Sequence, residues 1–260
     1  MANSAGIYLE LAGRIFLLCD ERWGIVPNGV CFSEFTEAVQ KLPLKPGDPV
    51  SSGTEGLQFP GLWITIAQID TPPVLAAPVE EAGWEAGLRA LSSREKGLAP
   101  LAKYLWKGSA APEGNPLCSL AGIRLKSLWK GLLEEEEAAV EAAVMGLLGL
   151  GPGLTPSGDD TLCGLLYGLL RSSYGERAIM KTLAQVICRE ADGRTHPVSA
   201  AYLKAIAEGA FFGRLEKAWG SITGRRESDF DGILEVGSSS GGDLLLGLLL
   251  AGKIDLEREE

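Results

Sequence analysis

Short apolar segments separated by turns occupy roughly the first 75 residues. Three of these segments contain alternating apolar residues or β-branched apolar residues, which predicts strands at 15–19, 30–35 and 62–69. The pair Asn28-Gly29 tolerates positive φ at both positions and suits a two-residue type I′ hairpin, although a plain turn is the simpler explanation. We expect a β-rich N-terminal domain over residues 1–75.

The hydrophobic period becomes helical after a proline-rich stretch at 71–78, which indicates a linker. Trp84, Leu88 and Leu91 then recur at i, i+4 and i+7, the spacing of one helix face. Further helices are predicted near 159–172, 176–191, 198–219 with an interruption near 209–213, and 243–251. The fold class is therefore α+β, with a larger, mostly helical domain over residues 76–260.

Four consecutive glutamates, 134–137, precede an apolar helical stripe that includes Val140 and Val144. Acidic side chains favour the positive end of a helix, so we expect this run to form the first turn of that helix and to have no further role. The helix should end between Gly149 and Gly153, because glycine adopts the left-handed conformation that other residues resist.

The balance of charge limits the classes of partner. The 260 residues carry a formal net charge of −10, with a pI near 4.8 and no basic stripe. Such a chain repels phosphate backbones and anionic lipid, so we expect no nucleic-acid partner. A small anion would have to be held by local donors, such as helix N-termini, or by a bound cation.

The cysteine pattern and the N-terminus favour a reduced, cytoplasmic setting. The five cysteines are scattered, with no C-x-x-C pair, which argues against a disulfide framework or a zinc site. No basic segment followed by an apolar run opens the chain, and no stretch reaches the roughly 18–20 apolar residues of a bilayer span. We expect neither export nor membrane insertion.

The turn at 149–160 contains more specialised residues than a simple connection requires. Its sequence is Gly-Leu-Gly-Pro-Gly-Leu-Thr-Pro-Ser-Gly-Asp-Asp. Glycines allow a ligand to approach the backbone, and the N–H groups of the next helix suit bound negative charge. Gly153 and Gly158 have P-loop spacing, but Asp159-Asp160 follow where that motif requires Lys and Ser or Thr, so an NTPase is rejected. The aspartates could cap the helix, accept hydrogen bonds from a substrate, or hold Mg²⁺.

A second segment repeats this design. Residues 240–249 match residues 157–166 at the serine, the glycine, the second aspartate and the glycine that follows in the helix, Gly247 against Gly164. We predict that these glycines let two helices pack closely and that their N-terminal turns, 151–160 and 237–243, line one pocket. Chance similarity between two Leu- and Gly-rich helices is the alternative.

His196 is the only histidine and lies in Thr195-His196-Pro197. A cap for a helix with Pro197 in its first turn explains this position. Alternatively, His196 is a general base or donor near the predicted pocket, because its pKa normally lies close to neutrality. No G-x-S-x-G elbow supports a Ser/His/Asp triad.

The motif at 149–160, together with Gly-Ser-Ser-Ser-Gly-Gly-Asp at 237–243, resembles a bacterial family long classed as a domain of unknown function. That family includes the H subunit of the oxamate carbamoyltransferase of anaerobic allantoin degradation, a route of purine catabolism. The resemblance implies work with partner subunits on carbamoyl transfer between oxamate and phosphate, yielding carbamoyl phosphate. The Ser-Thr-Arg-Thr signature of ordinary transcarbamoylases is missing, so any carbamoyl chemistry would use a different site.

We therefore predict a subunit of a carbamoyltransferase, or of a related group transferase, that binds a small carboxylate or carbamoyl phosphate at glycine-rich helix N-termini. The alternatives are an Mg²⁺-dependent phosphotransferase or hydrolase and a non-catalytic assembly subunit; partner subunits or self-association are expected. The candidate catalytic residues are Asp159, Asp160, Asp243 and His196. The candidate ligand-binding residues are Gly151, Gly153, Thr155, Ser157, Gly158, Ser238, Ser239, Ser240 and Gly241. The three aspartates are also the candidate ligands for Mg²⁺.

Overall fold

The computed structural model of the chain describes residues 2–3, 6–32, 35, 45–53, 55–65, 76–106 and 115–257. These residues form two compact units: one of residues 1–73 with 211–213, the other of residues 74–210 with 214–260. Strands occupy the first unit and helices dominate the second, which confirms the α+β class.

The first unit contains two small sheets. Its described strands are β1 (Ala2–Asn3), β2 (Gly6–Leu11), β3 (Arg14–Asp20), β4 (Gly29–Phe32), β5 (Ser51–Gly53), β6 (Gly56–Phe59) and β7 (Leu62–Thr65). Strands β1 to β4 form one sheet in sequence order, and β5 to β7 form the other. Buried residues of this unit cluster into a common apolar core made by Leu9, Leu18, Phe35, Leu57 and Phe59.

The hairpin suggested at Asn28-Gly29 is wrong, because β3 and β4 pair in parallel. Asp20 caps a short 3₁₀ turn, Glu21–Trp23, and the chain then runs back along β3 before β4 begins. Asn28 has φ of 50°, and the Gly29 N–H donates to the Val26 carbonyl, so the pair forms a plain turn. The predicted strands at 30–35 and 62–69 are present up to residues 32 and 65; residues 33–34 and 66–69 lie outside the described residues.

Ten helices are described in the rest of the chain. They are α1 (Glu81–Leu91), α2 (Leu101–Trp106), α3 (Pro116–Leu133), α4 (Glu137–Leu147), α5 (Ser157–Leu169), α6 (Ala178–Arg194), α7 (Pro197–Ala207), α8 (Gly213–Ile222), α9 (Asp231–Leu234) and α10 (Ser240–Leu256). The predicted interruption near 209–213 is confirmed between α7 and α8, where Gly209 has φ of 85°.

The sequence predicted that the four glutamates form the first turn of one helix, and this prediction is wrong. Glu134 caps the end of α3, Glu135 has φ of 56°, and only Glu137 belongs to α4. The left-handed residue reverses the chain between two helices, and charge pattern alone gave no sign of this reversal.

Helices α5 and α10 form the centre of the helical unit. Every residue of α5 is buried, and α10 is buried from Gly241 to Gly252. Side chains from other helices cover the pair; for example, the Trp84 indole of α1 donates to the Leu249 carbonyl at 2.8 Å. The two helices that carry the repeated motif are therefore the core of this unit.

Candidate functional site

The repeated helices pack side by side through their glycines. A Cβ built on Gly164 would lie 2.0 Å from the carbonyl oxygen of Leu244, and one built on Gly247 would lie 2.1 Å from that of Thr161. These contacts are reciprocal, because Leu244 and Thr161 occupy matching positions of the repeat. Further along, a Cβ on Gly168 would meet the Cβ of Ala251 at 2.6 Å. The helices are therefore parallel, related by a local two-fold arrangement, and their N-termini lie at the same end.

The serine of each turn lies beside the aspartate of the other. The Ser240 hydroxyl opposes the rise in the pKa of Asp160, and the Ser157 hydroxyl does the same for the pKa of Asp243. The Thr155 and Ser240 hydroxyl oxygens are 3.2 Å apart, which places the first turn directly against the second. The turns at 151–160 and 237–243 are thus joined at the helix starts.

Two buried carboxyl oxygens at this junction have no hydrogen-bond partner among the described residues: Oδ2 of Asp160 and Oδ2 of Asp243. The carboxyl groups belong to side chains that are 6% and 0% exposed. Burial raises the pKa of Asp160 well above its usual value, against the effect of the Ser240 hydroxyl, and the nearby Asp243 charge raises it further. Burial likewise raises the pKa of Asp243 to about 7, against the hydrogen bond from the Leu98 N–H and the effect of the nearby Ser157 and Ser239 hydroxyls. The pair can therefore hold a proton near neutral pH and offer both a donor and an acceptor.

The backbone donors of the first turn are only partly available. The Gly158 N–H, predicted as an anion donor, is used by the Leu150 carbonyl at 2.8 Å. The Asp159 and Asp160 N–H groups both bond the Pro156 carbonyl. Five other N–H groups have no backbone acceptor in the described part of the chain, those of Gly151, Gly153, Leu154, Thr155 and Ser157. Four of these free donors lie in the partly exposed loop 151–155, and the fifth belongs to Ser157, the buried first residue of α5.

Gly151 and Gly153 have φ of 124° and 100°, conformations that favour glycine. Nothing lies within 4 Å of a Cβ built on Gly153, so the space beside it is open. In the second turn, the Gly241 N–H is used by the Val236 carbonyl at 2.8 Å, as Gly158 is in the first. The matching glycines of the two turns thus both donate to a carbonyl within their own turn, across eight residues in the first and five in the second.

Asp159 points away from this junction and ties three segments together. Its Oδ1 accepts from the Gly149 N–H at 2.8 Å. Its Oδ2 accepts from the Thr195 hydroxyl and from the Ser199 hydroxyl, the latter at 2.7 Å. Both carboxyl oxygens are used to anchor the α4–α5 turn to the start of α7. This geometry favours a structural role for Asp159.

His196 caps helix α7. Its Nδ1 accepts from the Val198 N–H at 3.2 Å, and Pro197 occupies the first helical position. Because Thr195 and Ser199 on either side bond Asp159, the His196 region is attached to the first glycine-rich turn through its neighbours. The cap accounts for Nδ1, and this arrangement leaves Nε2 as the ring donor.

A pocket of about 310 Å³ lies beside the second turn. Its lining residues are Ser93, Arg94, Glu95, Lys96, Leu234, Val236, Ser238, Ser239 and Gly242. The second turn thus lines a pocket with residues 93–96, and none of residues 149–160 belongs to that lining. Two cations and one carboxylate among its side chains make the pocket locally positive in an acidic chain. Arg94 and Lys96 are not among the residues predicted from the sequence, although two cations close together in a polar turn of an acidic chain suit anion binding.

Asp243 also fixes the segment that carries these cations. Its Oδ1 accepts from the Leu98 N–H at 2.6 Å. Gly97 has φ of 62°, and a Cβ there would lie 2.4 Å from both carboxyl oxygens of Asp243. The segment 93–98 therefore lies against the start of α10, and only glycine fits at position 97.

The described residues contain no group of three or more His, Cys, Asp or Glu side chains arranged to hold a metal ion. Asp159, one of the three candidate Mg²⁺ ligands, turns its oxygens toward Gly149, Thr195 and Ser199. The geometry thus gives the magnesium hypothesis no support beyond the Asp160 and Asp243 pair.

The two glycine-rich turns lie within a region that matches a known protein family. Residues 147–252 match the family model described as oxamate carbamoyltransferase subunit AllH. The resemblance to that family is confirmed. The matched region begins at the end of α4 and includes both glycine-rich turns, α5 and most of α10. No solved structure matches the chain. Within the described residues, no helix is both long and apolar enough to cross a membrane.

Proposed function

We propose that this chain is a subunit of an oxamate carbamoyltransferase-like enzyme and that it binds a small anionic substrate where α5 and α10 begin. The family match supplies the class of reaction, since its description names an oxamate carbamoyltransferase subunit. The observation that carries the site assignment is the pair of buried, unpartnered oxygens of Asp160 and Asp243 at two joined helix starts.

Electrostatics supports an anion at this place. Parallel helices direct their positive dipole ends to the same side, so the N-termini of α5 and α10 reinforce one another. Their mutual repulsion is relieved by negative charge at the junction, supplied by the aspartates or by a bound carboxylate or phosphate. The unpaired N–H groups between Gly151 and Ser157 add donors on the exposed side.

The aspartate pair suits the amide part of the proposed substrates. Oxamate and carbamoyl phosphate both carry a carbamoyl group, with N–H donors beside a carbonyl acceptor. An ionised carboxyl accepts from the N–H groups, while a protonated one donates to the carbonyl oxygen. The pKa values of Asp160 and Asp243 are raised, so the two carboxyl groups can share one proton. One carboxyl is then ionised and accepts, while the other is protonated and donates. Such an arrangement would orient a carbamoyl group for transfer.

The cationic pocket supports a place for the phosphate part. Arg94 and Lys96 lie beside Ser238 and Ser239 of the second turn, so cations and hydroxyls surround the same 310 Å³ space. Arg and Lys are the usual protein ligands for phosphate oxygens. We assign phosphate, or the phosphate group of carbamoyl phosphate, to this pocket.

The test is calorimetric binding of oxamate, phosphate and carbamoyl phosphate to the wild-type chain and to three variants. Asp160→Asn and Asp243→Asn keep the side-chain shape but remove the ionisable group. Asp255→Asn is the matched control, because Asp255 is a buried aspartate at the far end of α10, bonded to Val79 and Ser173. We expect at least tenfold weaker oxamate binding in the first two variants and unchanged binding in the third.

Activity is then measured with candidate partner subunits present, since the family description names a subunit. Loss of carbamoyl transfer in Asp160→Asn and Asp243→Asn, with folding intact, would support the assignment. Full activity and wild-type affinity in both variants would overturn it.

A further inference from the structure

Two cysteines of the strand-containing unit face each other on neighbouring strands. Cys19 of β3 and Cys31 of β4 are partners in the parallel register. Their Sγ atoms are 2.7 Å apart, and both thiols are free. No other function assigned to this chain involves them.

The backbone at this position suits a covalent bond between the two. Neighbouring strands lie about 4.8 Å apart, within the 4.4–6.8 Å that Cα atoms span in disulfides. Residues in register on adjacent strands also project to the same face of the sheet. Because the two sulfurs are already in contact, forming the bond requires only a small approach of the side chains.

The two thiols differ in chemistry. The hydrogen bond with Cys19 is the main cause that lowers the pKa of Cys31, with help from the Val26 backbone, while burial and the Asp20 charge oppose it. The same hydrogen bond, together with burial, raises the pKa of Cys19. Cys31 is half-buried, whereas Cys19 is fully buried. Cys31 is therefore the reactive, accessible sulfur, and Cys19 is placed to attack it in a second step.

We propose that Cys19 and Cys31 are a thiol–disulfide exchange site that small-molecule disulfides such as glutathione disulfide oxidise reversibly. The Cys31 thiolate attacks one sulfur of glutathione disulfide, whose S–S bond breaks and releases one glutathione thiolate. Cys19 loses its proton to water and attacks the Cys31 sulfur, which releases the second glutathione. The chain gives up two electrons and forms one disulfide, and glutathione disulfide is reduced to two thiols.

The bond would join β3 to β4 across the turn 20–28. Parallel pairing here extends over only four residue pairs, from Leu17 with Gly29 to Asp20 with Phe32, so a covalent link at the third pair would hold β4 in place. The proposal concerns only the strand-containing unit and is independent of the substrate site in the helical unit.

The experiment treats the full chain with glutathione disulfide, counts free thiols after denaturation and maps the bond by mass spectrometry without reduction. Trypsin cuts after Arg22, which separates the two cysteines onto peptides 15–22 and 23–41, so the disulfide appears as a cross-linked pair of peptides. We expect the wild type to lose two of its five thiols and to regain them with dithiothreitol.

Three variants separate the steps. Cys31→Ser should keep all its thiols, and Cys19→Ser should stop at a stable glutathione adduct on Cys31. Cys188→Ser is the control, because Cys188 is a half-buried cysteine of α6 with no thiol partner among the described residues, and it should lose two thiols as the wild type does. Five retained thiols in the treated wild type, or an undiminished loss in Cys31→Ser, would overturn the proposal.

Discussion

The Ser240 hydroxyl at the start of α10 lies beside the carboxyl group of Asp160 in α5 and opposes the rise in its pKa. The matching serine of the other turn, Ser157, does the same for Asp243. Each turn therefore contributes to the surroundings of the other turn's aspartate. Changes that separate the helices should disturb both carboxyl groups together.

Substituting Gly164 with alanine tests the close packing of the two helices. Because its Cβ would lie 2.0 Å from the Leu244 carbonyl oxygen, the helices must move apart. We expect Gly164→Ala to lower the free energy of unfolding by about 3 kcal/mol, measured by urea denaturation. Gly193→Ala on α6 is the control, since nothing lies within 4 Å of that Cβ, and it should raise stability by about 0.5–1 kcal/mol. Equal stability of Gly164→Ala and the wild type would contradict this packing.

Removing the Asp159 carboxyl should lower the stability of the fold, because we expect its role to be structural and not a direct part of binding. Asp159→Ala leaves the Gly149 N–H and the hydroxyls of Thr195 and Ser199 without their acceptor. We expect a loss of about 3 kcal/mol on unfolding in urea, against about 1 kcal/mol for Ser199→Ala, which removes one donor. A variant that kept wild-type stability but lost turnover would instead assign Asp159 a direct part in the reaction.

The raised pKa of Asp243 predicts a pH-dependent stability. Its pKa is about 7 in the folded chain and about 4 when unfolded, so the folded state holds this proton more tightly. The resulting stabilisation is complete below pH about 4 and is lost as the pH rises toward 7. Asp243→Asn cannot ionise and keeps an acceptor for Leu98. Unfolding measured from pH 4 to 8 should show the wild type losing up to about 4 kcal/mol relative to this variant. Parallel stability curves would show that Asp243 has an ordinary pKa.

Gly153 provides a test of the exposed loop as an anion site. Its φ of 100° is unfavourable for valine, and the space beside it is open, so Gly153→Val should cost only about 1–3 kcal/mol of stability. We expect the added side chain to abolish oxamate binding measured by calorimetry. Gly209→Val is the matched control, because Gly209 also has positive φ and open space but joins α7 to α8. Binding that survives in Gly153→Val would place the anion elsewhere.

Arg94 and Lys96 should govern phosphate affinity in the pocket beside the second turn. The double variant Arg94→Gln, Lys96→Gln removes both cations from its lining. We expect phosphate binding to weaken at least tenfold and to lose most of its salt dependence, since two charge contacts disappear. Lys181→Gln, an exposed cation of α6, should leave the affinity unchanged. Unchanged phosphate binding in the double variant would remove this pocket from the proposal while leaving the aspartate site untouched.

The sequence alone determined the class of fold and the main elements of the candidate site. The spacing of hydrophobic residues distinguished strands from helices, because side chains return to the same face every two residues in a strand and about every 3.6 residues in a helix. Positive φ at Gly149, Gly151 and Gly153 followed from the composition of the turn. The repeat correctly predicted that Gly164 and Gly247 lie at a close helix contact, since only glycine leaves room for a neighbouring backbone.

Only the tertiary structure decided which residues meet at the candidate site. Asp159 and Asp160 are neighbours in sequence, yet successive residues of a helix point about 100° apart, so one anchors the start of α7 and the other faces α10. Arg94 and Lys96 lie beside the second turn because the neighbouring Gly97 packs against Asp243. Cys19 and Cys31 met because β3 and β4 pair in parallel, where the local turn signal had suggested a hairpin. Contacts between distant segments depend on the register and direction of whole elements, which local sequence patterns do not encode.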